Sequence, residues 1–127
     1  MAECEWIILC DYAFAGENGK LGIVGVFDVI GAVETPALHP RAAITFSLIG
    51  EPGEQGELKL KLIGPSGQVV IDVAQKYILP EAGSARGFFE ILNLQLPELG
   101  RYAIEIDSGD IQPKTAWFSL KQSSQPQ

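Results

Sequence analysis

The only histidine of the chain, His39, lies between Leu38 and Pro40 and two residues ahead of Arg41. An imidazole titrates close to neutrality, so this pair suits a general base or ligand beside a guanidinium clamp for an anion. No Ser, Cys or Asp stands near His39 at a spacing that marks a nucleophile relay. A fold can assemble a relay from distant positions, yet a structural or surface histidine is the expectation. Asp11 and Asp28 form a second candidate, for a shared proton or a bound Ca²⁺, which takes oxygen ligands from several residues. Two carboxylates fall short of a calcium set, and hydrogen-bonded residues at a strand rim are expected. Asp107-Ser108-Gly109-Asp110 has part of a calcium-loop pattern, but the same residues are what a tight turn prefers. Trp117 falls on the outward side of its segment, where an indole stacks on a sugar ring or anchors a protein. Cover by a loop or second sheet is the more ordinary fate.

Other chemistries have no carrier. The two cysteines, Cys4 and Cys10, have no His or further Cys at metal-ligand spacing, so no zinc is expected. In one extended strand they stand about 20 Å apart, too far for a disulfide, and reduced thiols fit a reducing compartment. No GxxxxGK[ST] phosphate loop occurs, and Gly22-Ile23-Val24-Gly25 sits inside an apolar run. Nine basic against 16 acidic residues give a net charge of −7, which phosphates repel, and Lys59, Lys61 and Lys76 are too few for a nucleic-acid face. No cofactor, metal site or catalytic set is expected.

The elements that must position these residues are strands. Leu58, Leu60 and Leu62 alternate with Lys59 and Lys61. The same period of two runs through residues 44–48, 92–96, 101–106 and 116–120. One wet face per strand points to antiparallel sheets. Asn18-Gly19 between apolar runs predicts a hairpin with a two-residue turn, because both central residues need positive φ. With Glu17 paired to Lys20, Phe14 faces Ile23, and Tyr12 faces Gly25, whose lack of a side chain leaves room for the ring. Asp11 then lies opposite Val26 and Asp28 opposite Leu9, which makes the aspartates diagonal neighbours about 7–8 Å apart. Gly64-Pro65-Ser66-Gly67 predicts another turn. The run 34–41 holds two prolines and predicts a crossover between sheets. Residues 69–78 match a helical stripe, but their Val and Ile content after a turn favours a strand.

The expected architecture is all-β: a two-layer antiparallel β-sandwich of about eight strands, immunoglobulin-like with Greek-key connections. Leu99-Gly100-Arg101-Tyr102 suits the corner at which a Tyr hydroxyl caps nearby backbone in such sandwiches, although no Cys–Trp–Cys core is present. The length fits one domain, taken as residues 1–121 with a flexible tail over 122–127. No apolar run reaches the ~20 residues of a membrane span, and the acidic start lacks a secretory pattern, so a cytoplasmic protein is expected.

Trp6-Ile7-Ile8-Leu9-Cys10-Asp11-Tyr12-Ala13, Gly19-Lys20-Leu21 and Gly25-Val26-Phe27-Asp28 together resemble the opening of an uncharacterised bacterial family of small all-β proteins. His39-Pro40-Arg41, the Gly64-Pro65-Ser66-Gly67 turn and Pro97-Glu98-Leu99-Gly100-Arg101-Tyr102 agree with it. The resemblance spans nearly the whole chain and implies a sandwich and a bacterial cytoplasmic origin. It carries no activity and no catalytic residues.

Function follows only in outline. Reactive residues are scarce and scattered, whereas the first hairpin is apolar on both faces. Ile7, Leu9, Val24 and Val26 need cover that one facing sheet does not give to both sides. The expectation is therefore a non-enzymatic interaction or assembly module that binds a protein partner or itself as a homodimer, with no membrane or nucleic-acid contact. The alternative is a small-ligand or carbohydrate-binding sandwich, in one version assisted by Ca²⁺, using Asp11, Asp28, His39, Arg41 or Trp117.

Overall fold

In the computed structural model, which describes residues 2–109 and 112–123, the alternating segments form strands. They are β1 (Glu3–Ala15), β2 (Leu21–Val26), β3 (Val29–Ala32), β4 (Ala37–Ile49), β5 (Gln55–Ile63), β6 (Val69–Ile78), β7 (Ser84–Leu96), β8 (Gly100–Asp107) and β9 (Lys114–Gln122). Residues 69–78 are thus a strand, as β-branched content favours over helical spacing. One sheet has the order β2-β1-β4-β7 and the other β3-β9-β8-β5-β6. Every pairing is antiparallel except β3 with β9, a departure from the all-antiparallel expectation. The chain passes from β2 to β3 through Phe27 and Asp28 alone and enters the second sheet along β9 rather than against it.

The core lies between the sheets. Leu58, Leu60 and Leu62 point into it with Tyr102, Ile104, Ile106, Phe118 and Leu120, and meet Leu9, Ile44, Phe46 and Leu48 from the first sheet. Lys59 and Lys61 stay outside, so period two does here what an amphipathic strand must. Tyr102 is fully buried, stacks on Phe118 at 5.1 Å, and donates its hydroxyl to the Glu98 carbonyl at 2.6 Å. The Glu98 N–H donates back to that oxygen at 3.1 Å. The phenol thereby brings its one polar atom into the interior already paired. The turn at Pro65 closes as expected, with the Gly67 N–H donating to the Gly64 carbonyl at 3.0 Å.

Several expectations are corrected. The first hairpin closes on Ala15 and Leu21, not on Glu17 and Lys20. Asn18 and Gly19 do take positive φ, but inside a single 3₁₀ turn over Glu17–Gly19, and that longer loop shifts the register by one. A one-residue slip moves a strand's whole side-chain set to the other face. Tyr12 now pairs Val24, and Phe14 pairs Gly22, where a Cβ would collide with the phenyl ring. Gly25, with φ of +74°, instead leaves room for the Asp11 carboxylate. Residues 44–48 do not have a wet face, because β4 is central and Thr45 and Ser47 are buried on its outer side. Thr45 Oγ1 donates to the Ile8 carbonyl at 2.8 Å and Ser47 Oγ to Glu5 Oε1 at 2.9 Å, which satisfies both hydroxyls. The leucines of β7 do not share one face either. Asn93 adopts φ of +54°, and Leu92 is 60% exposed while Leu94 is 5% exposed. The crossover occupies only residues 33–36, with a cis Thr35–Pro36 bond, and β4 begins at Ala37. At the other end Gln122 closes β9, its side-chain amide donating to the Val33 carbonyl at 3.1 Å, so the strand runs into the expected tail. Residues 124–127 of that tail lie outside the described residues.

Candidate functional site

The short strand β3 borders the five-stranded sheet and pairs only with β9. Residues 33–36 then carry the chain to the opposite sheet, where β4 starts beside β7. Its other neighbour, β1, joins it only from Ala43 onward, since β1 diverges into the hairpin with β2. The gap between these two partly unpaired strands is a groove of about 610 Å³, lined by residues 30–34, residues 36–40 and Asp11. Its walls are mostly alkyl: Ile30, Ala32, Val33, Ala37 and Leu38.

His39 and Asp11 are brought together here, as the sequence positions alone do not suggest. His39 lies in a strand and not in a loop. Pro40 is tolerated beside it because the β1 side of the strand has no partner at that point. The imidazole rests against Phe27 at 5.5 Å, and its Nε2 is shielded from solvent without a hydrogen-bond partner. Burial pushes the His39 pKa below its ordinary value, against smaller upward pulls from the Asp11 carboxylate and the Arg41 backbone. The neutral ring is therefore favoured at pH 7. No serine, threonine or cysteine is among the described residues that line the groove.

The remaining candidates are dispersed. Arg41 does not reach the groove: its Cζ sits 4.5 Å over the Tyr12 ring, and a nitrogen lies 3.6 Å from Glu90 Oε1. That corrects the pairing of His39 with Arg41, because the guanidinium is held by Tyr12 and Glu90 instead of the groove. Asp28 occupies the bend between β2 and β3, accepts the Ser119 N–H on its carbonyl at 2.9 Å, and is not in the groove that Asp11 lines. The diagonal Asp11–Asp28 pair rested on the displaced register and is replaced by the Asp11–Gly25 contact. Among the described residues, no three His, Cys, Asp or Glu side chains cluster to hold a metal. The Gly109 N–H donates to Asp107 Oδ1 at 2.9 Å, the turn arrangement expected of these residues, and Asp110 lies outside the described residues. Trp117 is 48% exposed, but Arg101 Cζ already stands 4.1 Å from its ring. Cys4 and Cys10 are both free and buried; burial pushes the Cys4 thiol up to about 11 and raises that of Cys10.

The expected interaction surface divides. Leu9 is buried in the inter-sheet core and Ile7 packs against it, so both leave the list of contact residues. Val24 and Val26 are 52% and 68% exposed, and the corrected register adds Tyr12 and Phe14 at 41% and 42%. The two rings stack at 5.8 Å. Sequence reasoning missed these aromatics because a two-residue turn was assumed. The signal that could have found them is Gly22, whose missing side chain accommodates Phe14.

Two sheets packed over one apolar core, with an open groove at the β3–β4 crossing, define a β-sandwich. The chain belongs to DUF6941, a family of unknown function, whose model matches residues 5–120. No curated protein matches the chain. Among solved structures, a β-glucosidase from Erythrobacter marinus is similar with a TM-score of 0.52 and 17% identity, over 74% of this chain and 14% of that one. A β-glucosidase from Listeria innocua in complex with glucose gives 0.50 and 11%, over 74% of this chain and 15% of that one. The same enzyme with isofagomine gives 0.50 and 9%, over 94% of this chain and 16% of that one. The chain thus spans about one-seventh of these enzymes, and the likeness is one of fold. None of the described helices is long and apolar enough to cross a membrane.

Proposed function

We propose that this protein is a non-enzymatic interaction module of the bacterial cytoplasm that associates through the outer side of the β1–β2 hairpin, with a second copy as the leading partner. One observation carries this reading: Tyr12, Phe14, Val24 and Val26 are exposed on a hairpin whose edge strand, Leu21–Val26, contains no charged residue. A contiguous apolar surface of this kind on a sheet edge favours burial by another chain. The charge that stands against this surface, Arg41 over the Tyr12 ring, already has Glu90 beside it at 3.6 Å, so self-contact there brings in no unpaired charge. The two buried thiols suit a reducing compartment. A carbohydrate or Ca²⁺ site has less support, because Arg101 covers a face of Trp117 and the groove takes in Asp11 without Asp28.

Sedimentation velocity across a concentration series tests the proposal. The native chain is expected to shift from monomer to dimer, and Val24→Lys with Val26→Lys to remain monomeric with an unchanged melting temperature. A native chain that stays monomeric up to its solubility limit would overturn self-association, and a co-purifying partner lost in the same variant would identify a heterologous contact instead.

A further inference from the structure

We infer that the groove between β3 and the start of β4 is a docking slot for an extended peptide segment that presents a lysine or arginine side chain. This rests on observations separate from the hairpin surface. Charge gives the first argument. Among the described residues, Asp11 and Glu34 are the only charged side chains lining the groove, both acidic, and no lysine or arginine joins them. Burial disfavours the charged form of His39, so the ring does not compete for the two carboxylates as a cation would. An occupant that placed a carboxylate here would be repelled by both exposed carboxylates, whereas a cation is attracted to both.

The backbone gives the second. β3 uses one edge for β9 and leaves the other without a strand, and β4 has no partner on its β1 side before Ala43. Unpaired N–H and C=O groups along a groove wall are what an added strand satisfies, with main-chain bonds supplying affinity and alternate side chains supplying selectivity. Val33 and Leu38 stand at the rim to cover the apolar side chains of such a segment. Third, the Nε2 of His39 lacks a partner. Polar atoms shielded from solvent are nearly always hydrogen-bonded, and an occupant offers this one a partner that the chain itself does not. A groove of about 610 Å³ accommodates a side chain and its flanking residues but not a globular surface.

The test is amide chemical-shift mapping on the full chain with three probes: a capped peptide alternating valine and lysine, the same peptide with glutamate for lysine, and lysine amide alone. The expected result is shifts confined to Asp11 and residues 30–34 and 37–39 with the lysine peptide and none with the glutamate peptide. Asp11→Asn with Glu34→Gln should weaken that binding about tenfold without lowering the melting temperature. Val24→Lys should leave it unchanged, so failure here and failure of the hairpin reading are separate outcomes. Equal binding of lysine amide would reduce the slot to a small-cation site and overturn the peptide. Equal binding of both peptides, shifts elsewhere, or no shifts would overturn the site.

Discussion

β5 and β2 make opposite use of apolar side chains. In β5 the leucines at 58, 60 and 62 are sunk in the core, and the lysines between them face water, one of them 4.0 Å from Glu57. β2 has no charge at all from Leu21 to Val26, yet its last three residues are exposed. The cause is position. β5 is flanked by β6 and β8 and lies under the first sheet, whereas β2 is an edge strand with a pairing partner on one side only. Apolar surface that stabilises the monomer is therefore concentrated in β5 and its neighbours. The hairpin holds apolar surface that a single chain leaves uncovered, which is the difference between a core strand and an exposed edge strand.

Equilibrium unfolding in urea puts the largest numbers on that contrast. Leu60→Ala empties a fully buried site and is expected to cost about 3 kcal/mol, within the range for leucine truncation in a packed core. Val26→Lys, at an exposed edge position, should stay within about 0.5 kcal/mol for the monomer. Comparable losses would erase the distinction, because they would mean that Val26 is covered within a single chain.

A smaller effect separates two tyrosines in the same way. Tyr102→Phe removes the hydroxyl that Glu98 both accepts from and donates to, leaving backbone groups unpaired in a part-buried corner, and should cost about 1–2 kcal/mol. Tyr12→Phe keeps the ring under Arg41 and the stack on Phe14, and should change stability by less than about 0.5 kcal/mol. An equal response from both would show that the corner bonds contribute nothing to folding.

These contrasts track what was legible in the sequence. The Leu–Lys alternation at residues 58–62, the Tyr102 corner and the strand over residues 69–78 could be read because each is decided by local chemistry: a period, a turn, a β-branched run. What failed to read was decided by single backbone angles. A loop over residues 16–20 in place of a two-residue turn shifted the register by one, so that Val24 pairs with Tyr12 and Phe14 with Gly22, and a positive φ at Asn93 split Leu92 from Leu94. Asp11 and His39 meet only because β1 departs from β4 just before the chain enters from β3, a long-range consequence of strand order. Arg41, two residues from His39, is drawn instead to Tyr12 and Glu90, which proximity in sequence gives no means to foresee.

His39 is the group through which the groove itself reports on pH, with the smallest expected effect. Its folded pKa lies below the ordinary 6.5, chiefly through burial. As pH falls through that value the unfolded chain takes up a proton that the folded chain still refuses. Stability therefore declines with acid from near 6.5 until the folded pKa is reached, and His39 contributes no slope above neutrality, where both states are unprotonated. The difference in unfolding free energy between the native chain and His39→Asn isolates this from the carboxylates. It should be flat from pH 8 to 7 and then move against the native chain. Asp11 pulls the other way, so in an Asp11→Asn background the folded pKa should drop further and the decline extend to lower pH, as a proton-NMR titration of the imidazole would register directly. A native chain that instead gained stability over His39→Asn on acidification would mean that the Asp11 carboxylate outweighs burial. The ring would then be an imidazolium already supplying the groove's cation, and the lysine-bearing segment would lose the charge argument on which it rests.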